Sequence, residues 1–154
     1  MKNVVVFGGS GFLGSHVCDK LLEYGYNVTV FDKCESEFIK GKYNIVIGDI
    51  LSEEKVSEAV ENANIVFNYA GLADISLAES DPIATVRYNI LENTVILEAC
   101  RKASIERYIF ASSVYVYSNF GGFYRCSKQA CELYVENFHE IYNLNYTILR
   151  YGSL

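Results

Sequence analysis

Residues 8–14 read GGSGFLG. They follow a short β-branched run over 3–7 and open a stretch over 12–24 in which Phe12, Leu13, Val17, Leu21 and Leu22 form one apolar stripe. His16, Asp19, Lys20 and Glu23 fall elsewhere on that helix, and Gly25 ends it. Gly9, Gly11 and Gly14 fit the spacing GxGxxG, and Gly8, Gly11 and Gly14 fit GxxGxxG. A strand that turns this tightly into a helix needs a positive φ, which glycine permits. The turn brings bare backbone to a helix N-terminus, whose free N–H groups and dipole favour anions. Gly14 lets the helix lie close on the strand. The same pattern also fits a glycine turn that holds nothing, so the rest of the chain has to decide.

The remaining sequence alternates. Apolar runs over 27–31, 43–47, 64–69, 106–111 and 145–149 predict five further strands. Helical stretches are expected over 53–61, capped by Ser52, over 82–102, opened by Asp81-Pro82, and over 123–142. Alternation of this kind predicts an α/β fold in three layers, a Rossmann-like doubly wound parallel sheet with strand order 3-2-1-4-5-6. Nothing marks an internal boundary, so residues 1–154 are expected to form one dinucleotide-binding domain. The chain stops five residues after its sixth strand, which leaves that strand at an open edge. A piece of a longer protein, lacking a C-terminal substrate domain, is the expectation.

Composition removes several classes. A single proline and 51% hydrophobic residues exclude disorder. Five scattered cysteines form no CxxC pair, so a zinc site or secreted disulfide framework is not expected, and a reduced, cytoplasmic setting is. Thirteen basic against nineteen acidic residues, net −6, argue against a nucleic-acid partner. No apolar run is long enough for a membrane span, and the opening lacks a signal-peptide layout.

Asp32 ends the second strand, 18 residues after Gly14. A carboxylate there can accept from the ribose hydroxyls of an adenosine and repel a 2′-phosphate, which favours NAD over NADP; Lys33 beside it leans the other way. A plain turn aspartate is the alternative. Asp49 and Ile50 follow the third strand, where an adenine ring would sit. Tyr69, Ala70 and Gly71 end the fourth, where small residues let the backbone lie along a cofactor. Each of these also fits ordinary turn chemistry.

Ser112 and Ser113 end the fifth strand, and Tyr124 and Lys128 follow as YRCSK at the head of a helix, four apart and so on one face. A free phenol, with a pKa near 10, is a poor base at neutral pH, and an ammonium nearby favours the phenolate. Tyr124 would then exchange a proton with a substrate hydroxyl that Ser113 holds, while carbon gives hydride to NAD. A surface Tyr/Lys pair is the alternative. His16 is expected on the surface, Cys126 and Cys131 as buried fillers, and Glu132, Glu136 and Glu140 as a solvated stripe.

In order along the chain, GGSGFLG, GDI at 48–50, YAGLAD at 69–74, NILENTVILEAC at 89–100, FASSVYVYS at 110–118, YRCSK and LRYGS at 149–153 together resemble the extended short-chain dehydrogenase/reductases, specifically their NAD-dependent nucleotide-sugar epimerases and dehydratases. The resemblance implies NAD held by Gly8, Gly11, Phe12, Leu13, Gly14, Asp32, Lys33, Asp49, Ile50, Tyr69, Ala70, Gly71, Asn89, Tyr124, Lys128 and Tyr151. It implies Ser113, Tyr124 and Lys128 as the catalytic set, and Ser153 as a first substrate contact. It also implies a homodimer through the helices over 82–102 and 123–142. Family dehydratases carry an acidic pair directly after the catalytic serine or threonine. Val114 and Tyr115 stand there, so a 4-epimerase-like activity on a nucleotide sugar is expected. A reductase or dehydratase of the same family, or a non-catalytic NAD(P)-binding module, are the alternatives.

Overall fold

The computed structural model describes residues 1–35, 38 and 43–152, so Ser153 lies outside the described residues. β1 (Asn3–Phe7) leads into α1 (Phe12–Glu23), then β2 (Asn27–Asp32), β3 (Asn44–Ile47), α2 (Glu53–Val60) and β4 (Ile65–Asn68). The short helices α3 (Ile75–Ser80) and α4 (Pro82–Thr85) follow. A π-helical turn over Val86–Leu91 joins α4 to α5 (Glu92–Lys102). The chain closes with β5 (Arg107–Ser113), a 3₁₀ turn (Val114–Tyr117), α6 (Gly122–Tyr142) and β6 (Tyr146–Tyr151). All six strands are parallel, in the expected order 3-2-1-4-5-6.

The alternation within β1 sorts the core. Val4 and Val6 point to the face covered by α1, where they meet Cys18, Val28 and Val30. Val5 and Phe7 point to the other face, against Phe31, Val56 and Val60 of α2, Ile96 and Leu97 of α5, and Cys131 and Val135 of α6. A strand sandwiched this way must be apolar on both sides, which is why NVVVF and not an alternating pattern stands at the centre. β3, at the sheet edge, is mostly exposed.

The helix expected over 82–102 is not uniform. Local periodicity does not register one residue wound in extra, and long-range partners supply the reason for it. The Asn89 carbonyl takes a hydrogen bond from the Cys131 thiol across to α6, at 3.1 Å. Thr94 Oγ1 donates to the Ile90 carbonyl at 2.9 Å. Widened turns of this kind re-aim side chains, and here Asn89 is turned fully inward. α3 is also absent from the sequence reading, being too short to show a period. Asp74 caps it and Asp81 caps α4, accepting from the Ala84 N–H at 2.9 Å. Asp81→Ala is expected to cost about 1 kcal/mol, read as a lower urea midpoint with an unchanged slope.

Candidate active site

Two clefts open along the C-terminal ends of the strands. The larger, about 810 Å³, lies over the glycine turn. Its lining includes Gly8, Gly11, Asp32, Lys33, Asp49, Ile50, Tyr69, Ala70 and Gly71, nine of the expected cofactor residues. Only one glycine of the turn itself uses a positive φ, Gly8 at +72°, and a Cβ there would sit 2.6 Å from the Ala70 nitrogen. Gly14 has another task. A Cβ at that position would meet the Gly8 carbonyl oxygen at 2.3 Å, so α1 can approach the turn only because Gly14 has no side chain.

Asp32 organises the turn. One carboxylate oxygen accepts from the Ser10 N–H at 3.0 Å and the other from the Lys33 N–H at 2.7 Å. The Asp49 carboxylate accepts from the Leu51 N–H at 2.9 Å, which fixes the bend after β3. Phe12, by contrast, is exposed, with its ring against His16 and Phe38, and neither it, Leu13 nor Gly14 lines the cleft. Ser10, Lys55 and Tyr88 line it without having been singled out in the sequence, and Gly48 lines it from the GDI motif. Ser10 had a signal in its place inside the glycine turn; Lys55 had none, since an exposed helix lysine looks like any other.

Three features of the cleft fit a dinucleotide. No side chain caps α1, whose N-cap is Gly11, so its first N–H groups face outward. The Ser10 hydroxyl is buried with no hydrogen-bond partner among the described residues, the kind of group a bound oxygen would satisfy. The floor tolerates no Cβ at Gly8.

A second cleft of about 430 Å³ lies beyond, lined by Ser113, Tyr124, Tyr151, Tyr115 and Phe120 among others. Between the two stand Tyr69 of the first and Tyr151 of the second, their hydroxyls 2.9 Å apart. The serine pair divides. Ser112 donates to Glu132, while Ser113 accepts from the Tyr115 N–H at 3.2 Å and lines the second cleft together with Tyr124. Gly121, at φ +99°, keeps space for the Tyr115 ring, which meets Tyr124 edge-on with centroids 6.3 Å apart.

Burial pushes the Tyr124 phenol up, and the Ser113 hydrogen bond opposes that. The expected depression by Lys128 is not what lowers it here. The Lys128 ammonium instead donates to the Ala111 carbonyl at 2.9 Å and lies 4.8 Å above the Phe110 ring, against 5.8 Å from the centre of Tyr124. Burial depresses the lysine in turn.

Asn89 lines neither cleft. It fastens the loop after β4 to α6. Its Oδ1 accepts from the Leu72 N–H at 2.7 Å, and its Nδ2 donates to the Leu72 carbonyl and to Ser127 Oγ at 3.2 and 2.8 Å.

Two expectations for α6 are corrected. Glu132 is not on a solvated face: it is 7% exposed, and Arg150 grips it through Nε and Nη2 at 3.0 and 2.7 Å. Burial would raise its carboxyl, but the hydrogen bonds from Arg150 and Ser112 and the guanidinium charge hold it below the usual range. Arg150 arrives from β6, 18 residues on, beyond the reach of helical periodicity. Cys126, expected as a buried filler, is exposed; Cys131 is buried as expected. Among the described residues no helix is long and apolar enough to cross a membrane.

A parallel doubly wound sheet, a side-chain-free cradle at a helix head and a Ser–Tyr–Lys set beside it define a dinucleotide-dependent α/β domain of the short-chain dehydrogenase/reductase type. The chain belongs to the NAD-dependent epimerase/dehydratase family, matching it over residues 4–154. It is 31% identical to the solved UDP-glucose 4-epimerase of Thermotoga maritima, in complex with UDP-glucose, with a TM-score of 0.91 over 97% of this chain and 55% of that one. The Brucella ovis UDP-glucose 4-epimerase, solved with NAD, gives 29% identity and a TM-score of 0.91 over 99% of this chain and 52% of that one. A Methanocaldococcus jannaschii relative, provisionally named UDP-glucose 4-epimerase, is 30% identical over 98% of this chain and 55% of its own length. The chain spans about half the length of these relatives.

Proposed function

We propose that residues 1–154 are the cofactor-binding unit of an NAD-dependent nucleotide-sugar epimerase of the 4-epimerase kind. The observation that carries this reading is that Ser113 and Tyr124 share the wall of the second cleft, one tyrosine pair away from the glycine cleft. NAD, when bound, supplies the hydride acceptor. Gly8, Gly11 and the head of α1 would take its diphosphate, Asp32 its adenosine ribose, and Asp49 and Ile50 its adenine. Tyr124 would take the proton from the sugar hydroxyl and later return it. Ser113 orients that oxygen. Lys128 would hold the nicotinamide ribose. The absence of acids at Val114 and Tyr115 favours this over water elimination. The test is interconversion of UDP-glucose and UDP-galactose by the full protein with added NAD. Failure with every UDP-sugar, despite NAD binding, would leave a binding module.

Asp32 also carries a prediction. Its carboxylate faces the cleft and would meet a 2′-phosphate head-on. Asp32→Asn is expected to weaken NAD about tenfold and to narrow the preference over NADP by at least that factor, measured by calorimetry with both nucleotides. An unchanged ratio removes Asp32 from the ribose site.

A cytoplasmic homodimer completes the proposal. Ile83, Val86 and Leu91 on the α4–π segment and Leu133, Tyr134 and Ile141 on α6 are exposed apolar residues on the two helices the resemblance assigns to a dimer. Sedimentation at micromolar concentration should give a dimer, and Leu133→Glu a monomer.

A further inference from the structure

One guanidinium joins three elements around the second cleft, and the proposed reaction does not use it. Arg150, next to last in β6, lies beside Ser112 of β5 in the sheet, and Tyr151 lies beside Ser113. Ser112, Ser113 and Tyr151 all line the second cleft. Arg150 Nε and Nη2 donate to the two carboxylate oxygens of Glu132 on α6, at 3.0 and 2.7 Å. Its Nη1 donates to the Tyr117 hydroxyl, and the guanidinium carbon lies 4.8 Å from the centre of the Tyr117 ring. Tyr117 closes the 3₁₀ turn, whose Val114 and Tyr115 line the cleft. Glu132 accepts from Ser112 as well. All three guanidinium nitrogens are therefore committed, and they tie β6 to α6 and to the turn.

Net stability is a weak reason for such a pair. Taking a carboxylate and a guanidinium out of water costs about as much as their attraction returns. What the two-pronged fork adds is direction, since parallel N–H···O bonds fix the plane of the guanidinium and a lysine cannot reproduce them. Among the described residues this fork is the only hydrogen-bonded link between α6 and β6. The other ring contact between them, His139 edge-on to Tyr146 at 5.5 Å, lies at the opposite end of the strand. Among the described strands β6 is at the sheet edge, paired with β5 alone. At its end Tyr151 reaches across to Tyr69 of the dinucleotide cleft, hydroxyl to hydroxyl at 2.9 Å. The place of Tyr151 between the two clefts thus depends on where the end of β6 is pinned, and Arg150 is the pin.

We propose that Arg150 is a positioning residue for the second cleft. Its fork on Glu132 and its bond to Tyr117 hold the end of β6 and the 3₁₀ turn as one wall, and so set Tyr151 and Ser113 in place relative to Tyr124. Glu132 is the anchor, carried on the same helix as Tyr124. The proposal deepens the functional reading and rests on it only for the turnover measurement. The position of Tyr151 is read without any reaction.

The test compares Arg150→Lys, which keeps the charge and loses the fork, with the unaltered full protein. The Tyr69–Tyr151 hydrogen bond is the reporter, because Arg150 bonds to neither phenol. In ¹³C NMR with labelled tyrosine, the two Cζ signals are assigned by their loss in Tyr69→Phe and Tyr151→Phe. Arg150→Lys is expected to move the Tyr151 signal toward its place in Tyr69→Phe, the state without that bond. It should also lower kcat on UDP-sugars by about ten- to a hundredfold, with KM and the NAD affinity from calorimetry within about threefold of the unaltered protein. Arg150→Ala should lose as much. Guanidinium ion, added far below unfolding concentrations and with sodium chloride as control, should return part of its kcat and of its Tyr151 shift. A pair that only adds stability would lower the urea midpoint and leave the native-state signal alone, so an unmoved Tyr151 signal in Arg150→Lys overturns the proposal. A moved signal with undiminished kcat overturns it too, because the reaction then does not feel where Tyr151 stands. Should the Arg150 variants not fold, Glu132→Gln weakens the same fork with little change of shape and is judged by the same two readings. A moved Tyr151 signal in a full protein that turns over no UDP-sugar supports the pinning of Tyr151 and removes the epimerase reading instead.

Discussion

Tyr124→Phe is expected to lower kcat of the full protein on UDP-sugars by about 10³-fold with little change in KM. The substitution deletes one oxygen and leaves the ring, and with it the edge-on contact to Tyr115. Ser113 keeps its bond from the Tyr115 N–H, so it is not stranded. The stability loss should therefore stay near 1 kcal/mol, the usual net worth of a single hydrogen bond. Of the neighbouring phenols, Tyr69 and Tyr151 are already hydrogen-bonded to each other. The pH dependence follows from the same geometry. Burial raises Tyr124, so its phenolate gains with rising pH and activity should climb toward the alkaline side. The Ser113 bond favours the phenolate, so Ser113→Ala should push that rising limb to still higher pH as well as lowering its plateau. A Tyr124→Phe enzyme with wild-type kcat would remove the proton-transfer role altogether.

What the sequence disclosed follows from what is local. β1, its glycine turn and α1 are coded within about twenty residues by β-branching, glycine spacing and one apolar stripe, and they form as read. Sheet order followed from alternation, because a parallel sheet admits few topologies. The unread parts depend on partners far along the chain. Glu132 accepts from Ser112 on β5 and is itself held by Arg150 on the last strand. The same long-range pair turned an apparently solvated glutamate into a buried one. The π turn at Asn89 arose from contacts to α6 that no helical wheel of 82–102 contains. Glu92 looked like an ordinary acid at a helix start until β4 and β5 closed over it.

Gly14→Ala should be strongly damaging although Gly14 lies inside a helix, and the reason is a contest whose winner can be named. Gly14 lies inside α1 with no positive φ, so on helix propensity alone alanine would stabilise by about 1 kcal/mol. Against that, the new Cβ would lie 2.3 Å from the Gly8 carbonyl oxygen, 2.9 Å from Gly9 Cα and 3.0 Å from Gly8 carbon. All three are backbone atoms of the turn, so no rotamer change relieves the overlap, and α1 must lift away from β1. The cost of such overpacking, at the upper end of roughly 1–3 kcal/mol or beyond it, exceeds the propensity gain. A net loss of about 2 kcal/mol is expected in urea, together with a fall in NAD affinity of at least tenfold, because the lifted helix carries its N–H groups off the cradle. Gly11→Ala is the control that separates packing from binding. Its Cβ would touch only the Gly8 oxygen, at 3.3 Å, and Gly11 is exposed at the cleft mouth. Stability should change by less than about 1 kcal/mol, while a methyl in the path of the diphosphate should still weaken NAD about tenfold. If both variants keep wild-type NAD affinity, the cradle at the head of α1 does not hold the dinucleotide; if both lose stability equally, Gly11 is a packing residue and the division of labour drawn between the two glycines is wrong.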